Sequence, residues 1–127
     1  MTESVPGGAE EGDEGNERLR VLSLTDEDAG GLIGSLASET ARTLVTELET
    51  APATASELAD EAATSLQNVR HHLGNLRDAG LVRVVGTRYS VKGREMKVYA
   101  PADESLVVCV GDDVDRERVR DSLTEKR

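Results

Sequence analysis

Aromatic residues are nearly absent from this 127-residue chain, which has two tyrosines, no phenylalanine and no tryptophan. Its core must therefore be built from leucine, valine, isoleucine and alanine. A chain of this length supports one small domain rather than two separate cores. Cys109 is the only cysteine, which excludes an internal disulfide and a thiolate metal cluster. We accordingly predict no cofactor and no metal site.

Long apolar runs are also missing. The longest clear run, Leu106 to Val110, is far shorter than the ~20 residues that cross a bilayer. Residues 1–16 have neither a basic start nor an apolar stretch, unlike a secretory signal. The sequence therefore predicts a cytoplasmic protein without a membrane-spanning segment.

Positive charge is scarce and unevenly distributed. The formal net charge is −10, yet residues 65–100 hold seven bases and only two acids. A basic cluster of this kind is the electrostatic footprint of a phosphate-bearing partner. The alternative is a chance fluctuation on a solvated surface.

Lysine is rarer than arginine, with three against twelve, while acidic residues number 25. Excess surface carboxylate with few lysines resembles the composition of proteins from halophilic archaea. Molar salt screens the self-repulsion of such a chain. This resemblance implies an organism with a very salty cytoplasm.

Three segments can be distinguished along the chain. Residues 1–18 are rich in glycine and glutamate and lack apolar periodicity, so we predict a disordered acidic tail that is dispensable for folding. Residues 19–111 form the predicted domain, which begins with a strand over 20–24. Residues 112–127 hold a terminal helix, a possible dimerisation element, preceded by a strand over 106–110.

The centre of the chain has the pattern of a helix-turn-helix. Ser38 is placed to cap one helix, which Pro52 ends. Thr54 with Glu57, and Thr64 with Gln67, have the spacing of capping boxes. They predict a helix over 54–62, a very short turn and a longer helix over 65–79 that ends at Gly80. The alternative at this point is an ordinary helical hairpin.

Strands over 81–85 and 96–100 follow, with a hairpin tip near Lys92 and Gly93. A hairpin directly after the second helix of a helix-turn-helix is a wing. The predicted fold class is therefore α+β, mainly helical: a winged helix-turn-helix with a β-hairpin wing and a C-terminal strand and helix.

The exposed face of the 65–79 helix has side chains that suit DNA bases, because amides pair with adenine and arginine with guanine. Gln67 has an alternative structural role, because the predicted capping box would use its side chain. The wing and the helix start offer groups for the phosphate backbone. The predicted base contacts are Gln67, Asn68, Arg70, His71 and Asn75. The predicted backbone and wing contacts are Ser65, Arg88, Lys92, Arg94 and Lys97.

The segment Ser65 to Leu73, with its Val-x-x-His-Leu core, resembles the recognition helix of ArsR-like regulators, as does the closing Leu76-Arg77-Asp78-Ala79-Gly80-Leu81-Val82. The resemblance covers roughly residues 32–100. It implies a homodimer that binds a pseudo-palindromic operator in double-stranded DNA. Metal-sensing members carry cysteine pairs that this chain lacks, which puts metal sensing in doubt.

Taken together, the sequence predicts a sequence-specific transcriptional regulator, with repression as the expected direction and the effector left open. The alternative is a winged-helix protein-interaction module that does not bind DNA. An enzyme is not expected, because His71 and His72 are adjacent and diverge by about 100° on a helix, so they cannot chelate one metal.

Overall fold

The computed structural model describes residues 18–111 and 116–124. The predicted tail lies outside them, apart from Arg18. The elements follow in the order β1 (Arg18–Ser23), α1 (Ala29–Ser35), α2 (Glu39–Thr50), β2 (Ala53–Thr54), α3 (Ala55–Ala62), α4 (Leu66–Asp78), β3 (Val82–Tyr89), β4 (Glu95–Pro101), β5 (Glu104–Cys109) and α5 (Arg116–Thr124). They divide into two compact units, one over residues 30–102 and one formed by both ends of the chain.

The unit of the chain ends is a two-stranded parallel sheet with a helix. β1 and β5 pair in register from Arg18 opposite Glu104 to Ser23 opposite Cys109. Val21 and Leu22 are buried, and Arg20 pairs with Asp28 at 3.3 Å. Both strands were expected from their apolar residues, whereas their pairing was not. The described part of the terminal helix begins at Arg116, and residues 112–115 lie outside the described residues.

The second unit is built on α2. The Ser38 hydroxyl accepts a hydrogen bond from the Ala41 N–H at 3.3 Å, so the predicted cap is present. Leu44 and Leu48 follow at helical spacing and are fully buried. The helix ends at Thr50, two residues before Pro52, as predicted.

The helix-turn-helix follows, as predicted. Thr54 and Glu57 form a complete capping box at the start of α3. Ala63, with a φ of 55°, adopts the left-handed conformation that turns the chain. The prediction of a second box from Thr64 and Gln67 is wrong. Ser65 caps α4 instead, through the Asn68 N–H at 3.0 Å, because the turn takes one residue more than the box would allow.

The wing is a three-stranded antiparallel sheet in the order β2-β4-β3. Its strands extend closer to the tip than predicted, and a register shift lies between Val84 and Gly86. β2 was not predicted, since two residues are too few to show a strand pattern. Its Thr54 pairs with Val98 and is buried, which fixes the base of the wing to the start of α3.

The core of this unit joins α2, α3 and α4 to the wing. α4 contributes Val69, Leu73 and Leu76, each 0 or 1% exposed. They pack in one cluster with the buried leucines of α2 and with Leu58 of α3. Because this side of α4 faces the core, its opposite side is left to solvent. The fold class is confirmed: a mainly helical α+β chain with a winged helix-turn-helix.

Candidate nucleic-acid interface

The side of α4 opposite the core presents amide and imidazole side chains. Gln67, His71 and Asn75 are four residues apart and all exposed, so they follow one another along the side opposite the core. The Nδ2 of Asn75 lies 3.5 Å from the Nε2 of His71. The Gln67 side chain is not used in the predicted capping box, because Ser65 is the N-cap of α4. We name this surface the outer face.

Asn68 differs from the other predicted base contacts. Its Nδ2 donates to the Thr64 Oγ1 at 3.0 Å, and its backbone N–H donates to the Ser65 Oγ at 3.0 Å. The side chain is half-buried. Both Asn68 and Ser65 therefore stabilise the start of α4, and the amide of Asn68 is less available to a base than sequence reasoning assumed.

One of the two acidic residues counted between residues 65 and 100 limits the outer face. Asp78 is exposed and comes four residues after Gly74 and seven after His71, which places it on the same side of α4. A carboxylate there repels phosphate. The part of the outer face without a carboxylate therefore runs from Gln67 to Asn75, and the helical spacing alone would have revealed this.

The flank of α4 that carries Arg70 borders a groove. The groove has a volume of about 470 Å³ and lies between α4, the first turn of α3 and β4. Arg70, Arg94 and Lys97 contribute three positive charges to its lining, against one carboxylate from Glu95. The other lining residues are Thr54, Ala55, Ser56, Leu66, Met96 and Tyr99. We name this surface the basic groove.

The tip of the wing is a compact turn. The Ser90 N–H donates to the Arg94 carbonyl at 2.8 Å, and the Gly93 N–H donates to the Ser90 carbonyl at 2.8 Å. Gly93 has a φ of 80°, which favours glycine. Lys92 and Arg94 are exposed beside it. The predicted tip is therefore confirmed, and it presents two cations to solvent.

Arg88 is engaged within the protein. Its Nη1 lies 2.7 Å from the Glu57 Oε2, and the two side chains are about half exposed. The hydrogen bond from the Thr54 N–H lowers the pKa of Glu57, and the nearby charge of Arg88 lowers it further. Sequence reasoning missed this pair because the two residues are 31 positions apart.

Two further kinds of site are absent from the described residues: a cluster of metal-ligating side chains and a membrane-spanning helix. They contain no group of three or more histidine, cysteine or acidic side chains that could hold a metal ion. No helix among them has the length and apolar character needed to cross a bilayer.

A family model described as a helix-turn-helix domain matches residues 36–85. A crystal structure of a possible transcriptional regulatory protein (fragment 1–100) from Mycobacterium bovis is similar to the chain, with a TM-score of 0.51 and 17% identity, over 60% of this chain and 75% of that one. The chain contains a winged helix-turn-helix domain. The likeness in structure shows the fold alone.

Other solved structures are similar at slightly lower scores. An ArsR-like transcriptional regulator from Rhodococcus sp. RHA1 is 32% identical, with a TM-score of 0.49, and the match covers 58% of this chain and 64% of that one. The solution structure of the Mycobacterium bovis fragment, described as a homodimeric winged helix-turn-helix DNA-binding domain, is 17% identical with a TM-score of 0.49, over 60% and 65%. This chain thus matches somewhat less than two thirds of the length of each of these two proteins. No protein of curated function matches.

Proposed function

We propose that this winged helix-turn-helix protein is a sequence-specific DNA-binding transcriptional regulator of the ArsR-like kind. The observation that carries the proposal is that α4 presents the outer face on one side, while its Arg70 flank borders the basic groove. The first has amides and an imidazole that suit base edges, and the second has three cations that suit phosphate. The recognition-helix motif quoted above supports the family.

The two surfaces have different tasks in this proposal. Gln67, His71 and Asn75 read base edges in the major groove, where amides discriminate adenine. Arg70, expected from the sequence to read a base, shares the basic groove with Arg94 and Lys97. Its location beside two wing cations favours a phosphate contact. Lys92 at the wing tip and the Ser65 hydroxyl at the start of α4 are further backbone contacts.

A homodimer and a palindromic operator complete the proposal. Two DNA-reading units bind two half-sites about one helical turn apart. Ile33 of α1 and Leu123 of α5 are 42% and 55% exposed, which leaves apolar surface for such a contact. Light scattering in molar KCl should give the mass of a dimer, and a monomer at micromolar concentration would contradict this part.

High salt is the proposed working condition, and repression the proposed direction of control. The net charge of −10 supports the first, because dissolved ions screen the repulsion between carboxylates. Counterion release gains little free energy at molar salt, so base contacts must contribute a larger share of the affinity. The unfolding midpoint should then rise as KCl is increased into the molar range.

The decisive experiment is selection of bound sequences from a random DNA library in molar KCl, followed by titration of the selected site. We expect a palindromic consensus that binds at least about a thousandfold more tightly than random DNA, the lower end of the specificity range of such proteins. The charge reversal Arg70→Glu should abolish binding without changing the thermal midpoint. Failure to select any sequence would contradict the proposal and favour a protein-interaction module.

A further inference from the structure

Glu57 uses its two carboxylate oxygens for different parts of the unit. The Oε1 accepts a hydrogen bond from the Thr54 N–H at 2.9 Å and completes the capping box of α3. The Oε2 pairs with the Arg88 Nη1 at 2.7 Å. One side chain therefore connects the first helix of the helix-turn-helix to the outer strand of the wing.

The position of Arg88 along the wing gives this connection its effect. β2 holds the base of the wing through the pairing of Thr54 with Val98. Val98 lies opposite Gly86 in β3, and Arg88 is two residues closer to the tip. The step from Gly86 to Arg88 covers about 7 Å of strand. The wing is thus held at its base by backbone pairing and, farther out, by the ion pair.

Arg88 was expected to contact phosphate directly. In the structure its guanidinium faces a carboxylate, and that carboxylate would repel a phosphate brought close to Arg88. The cations nearer the tip, Lys92 and Arg94, have exposed side chains. They depend on the wing for their placement against DNA.

We propose that Arg88 is a positioning residue: the Glu57–Arg88 ion pair holds the wing at a fixed angle to the helix-turn-helix, so that Lys92 and Arg94 meet the DNA backbone. The proposal rests on the proposed function for its DNA part. Half-exposed pairs contribute modestly, which corresponds to an effect of about two- to fivefold on binding.

The variant Glu57→Gln separates the two bonds of this side chain. Glutamine serves as well as glutamate in a capping box, so the bond to Thr54 is kept while the charge is lost. If the ion pair positions the wing, the variant binds operator DNA about two- to fivefold more weakly at 0.2 M KCl or below. If Arg88 instead contacts phosphate, removal of the carboxylate frees it and binding becomes tighter, which would overturn the proposal.

The variant Arg88→Ala gives an independent readout. A positioning residue releases no counterion on binding, so the slope of log K against log salt should stay close to that of the unchanged protein. A direct phosphate contact would flatten the slope by about one unit. The double variant should bind no more weakly than either single variant, because both remove the same ion pair. Additive losses would contradict the proposal.

A measurement without DNA keeps the inference testable if the proposed function fails. Hydrogen exchange of the β3 and β4 amides around Arg88 and Met96 should be faster in Glu57→Gln than in the unchanged protein, while the amides of α4 keep their rates. Unchanged exchange in the wing would overturn the inference. A lack of DNA binding by the unchanged protein would instead count against the proposed function alone.

Discussion

The two exposed sides of α4 differ in the kind of polarity they present. The outer face has amide and imidazole groups at Gln67, His71 and Asn75, whereas the basic groove has the charges of Arg70 and two wing residues. Charge attracts phosphate over a distance but does not distinguish bases. Amide groups distinguish bases through directional hydrogen bonds, but they attract DNA only weakly from a distance. Under the proposed function, the basic groove contributes affinity and the outer face of α4 contributes specificity.

This division depends on the third side of α4, which is buried. Val69, Leu73 and Leu76 fix the rotation of the helix against the core. A rotation by one residue, about 100°, would place Arg70 where His71 lies. The chemistry of both exposed sides is therefore set by the packing of the apolar stripe.

The largest expected effect follows from removing that anchor. Leu73→Ala deletes a side chain that is 1% exposed and should lower the free energy of unfolding by about 2–5 kcal/mol. Both DNA functions should be lost together as α4 loosens. Chemical denaturation at fixed KCl measures the effect, with Leu24→Ala, at 47% exposed, as the control. A loss below 1 kcal/mol would show that α4 is not anchored as described.

The outer face is tested by Gln67→Ala. Loss of a two-point contact to a base should weaken operator binding by about 1–3 kcal/mol and relax the preference at one position of each half-site. Binding to random DNA should hardly change. Asn68→Ala is the comparison, since the Asn68 amide already bonds to Thr64 and should contribute less to base preference. Equal weakening of operator and random DNA by Gln67→Ala would refute the assignment.

Gly74 sharpens the comparison because it lies on the outer face, and apart from its chain neighbours and the nearby helix backbone, nothing lies within 4 Å of where a side chain would begin. Gly74→Ala should stabilise folding by up to about 1 kcal/mol, since alanine favours helix. Gly74→Leu should also fold well, but its bulk should weaken operator binding severalfold if the face enters a DNA groove. Melting and titration of both variants check this. Unaltered binding by Gly74→Leu would mean that the outer face meets no partner closely.

The smallest expected effect concerns pH. The Thr54 N–H, and then Arg88, hold the pKa of Glu57 below its ordinary value of 4.5. A carboxyl with a lowered pKa in the folded state stabilises the protein above about pH 4.5, and this stability is lost as the pH falls through the folded value. The midpoint difference between the unchanged protein and Glu57→Gln should therefore shrink on acidification. Glu61→Gln, an exposed acid of the same helix, controls for the loss of one charge. A constant difference down to pH 3 would contradict the explanation.

Local chemistry accounts for how much of the fold was predictable. Ser38, the Thr54–Glu57 box and Gly80 mark helix ends through short-range bonds, and the apolar spacing of α4 identifies its buried side. The prediction that was wrong and the features that were not predicted depend on tertiary structure. The choice of Ser65 over Thr64 as the cap depends on the turn at Ala63, and the β1–β5 pairing joins residues more than 80 positions apart.

The candidate site was also predictable where local sequence decides and unpredictable where tertiary structure decides. The exposed residues of α4 could be listed from a projection at 100° per residue, and the same projection places Asp78 on the outer face. The engagement of Arg88 by Glu57 could not, because the register of the wing and its angle to α3 decide it. The location of Arg70 beside Arg94 and Lys97 is tertiary in the same sense. It changes the expected partner of Arg70 from a base to a phosphate.

The central claim is that Arg70 binds phosphate while Gln67 reads a base, and a salt series tests it most directly. Operator and random DNA should be titrated with the unchanged protein, Arg70→Ala and Gln67→Ala across KCl concentrations. We predict that Arg70→Ala flattens the slope of log K against log salt by about one unit per site and weakens both DNAs alike. Gln67→Ala should keep the slope and lose operator preference. If Arg70→Ala keeps the slope and relaxes sequence preference instead, the division between the basic groove and the outer face is wrong.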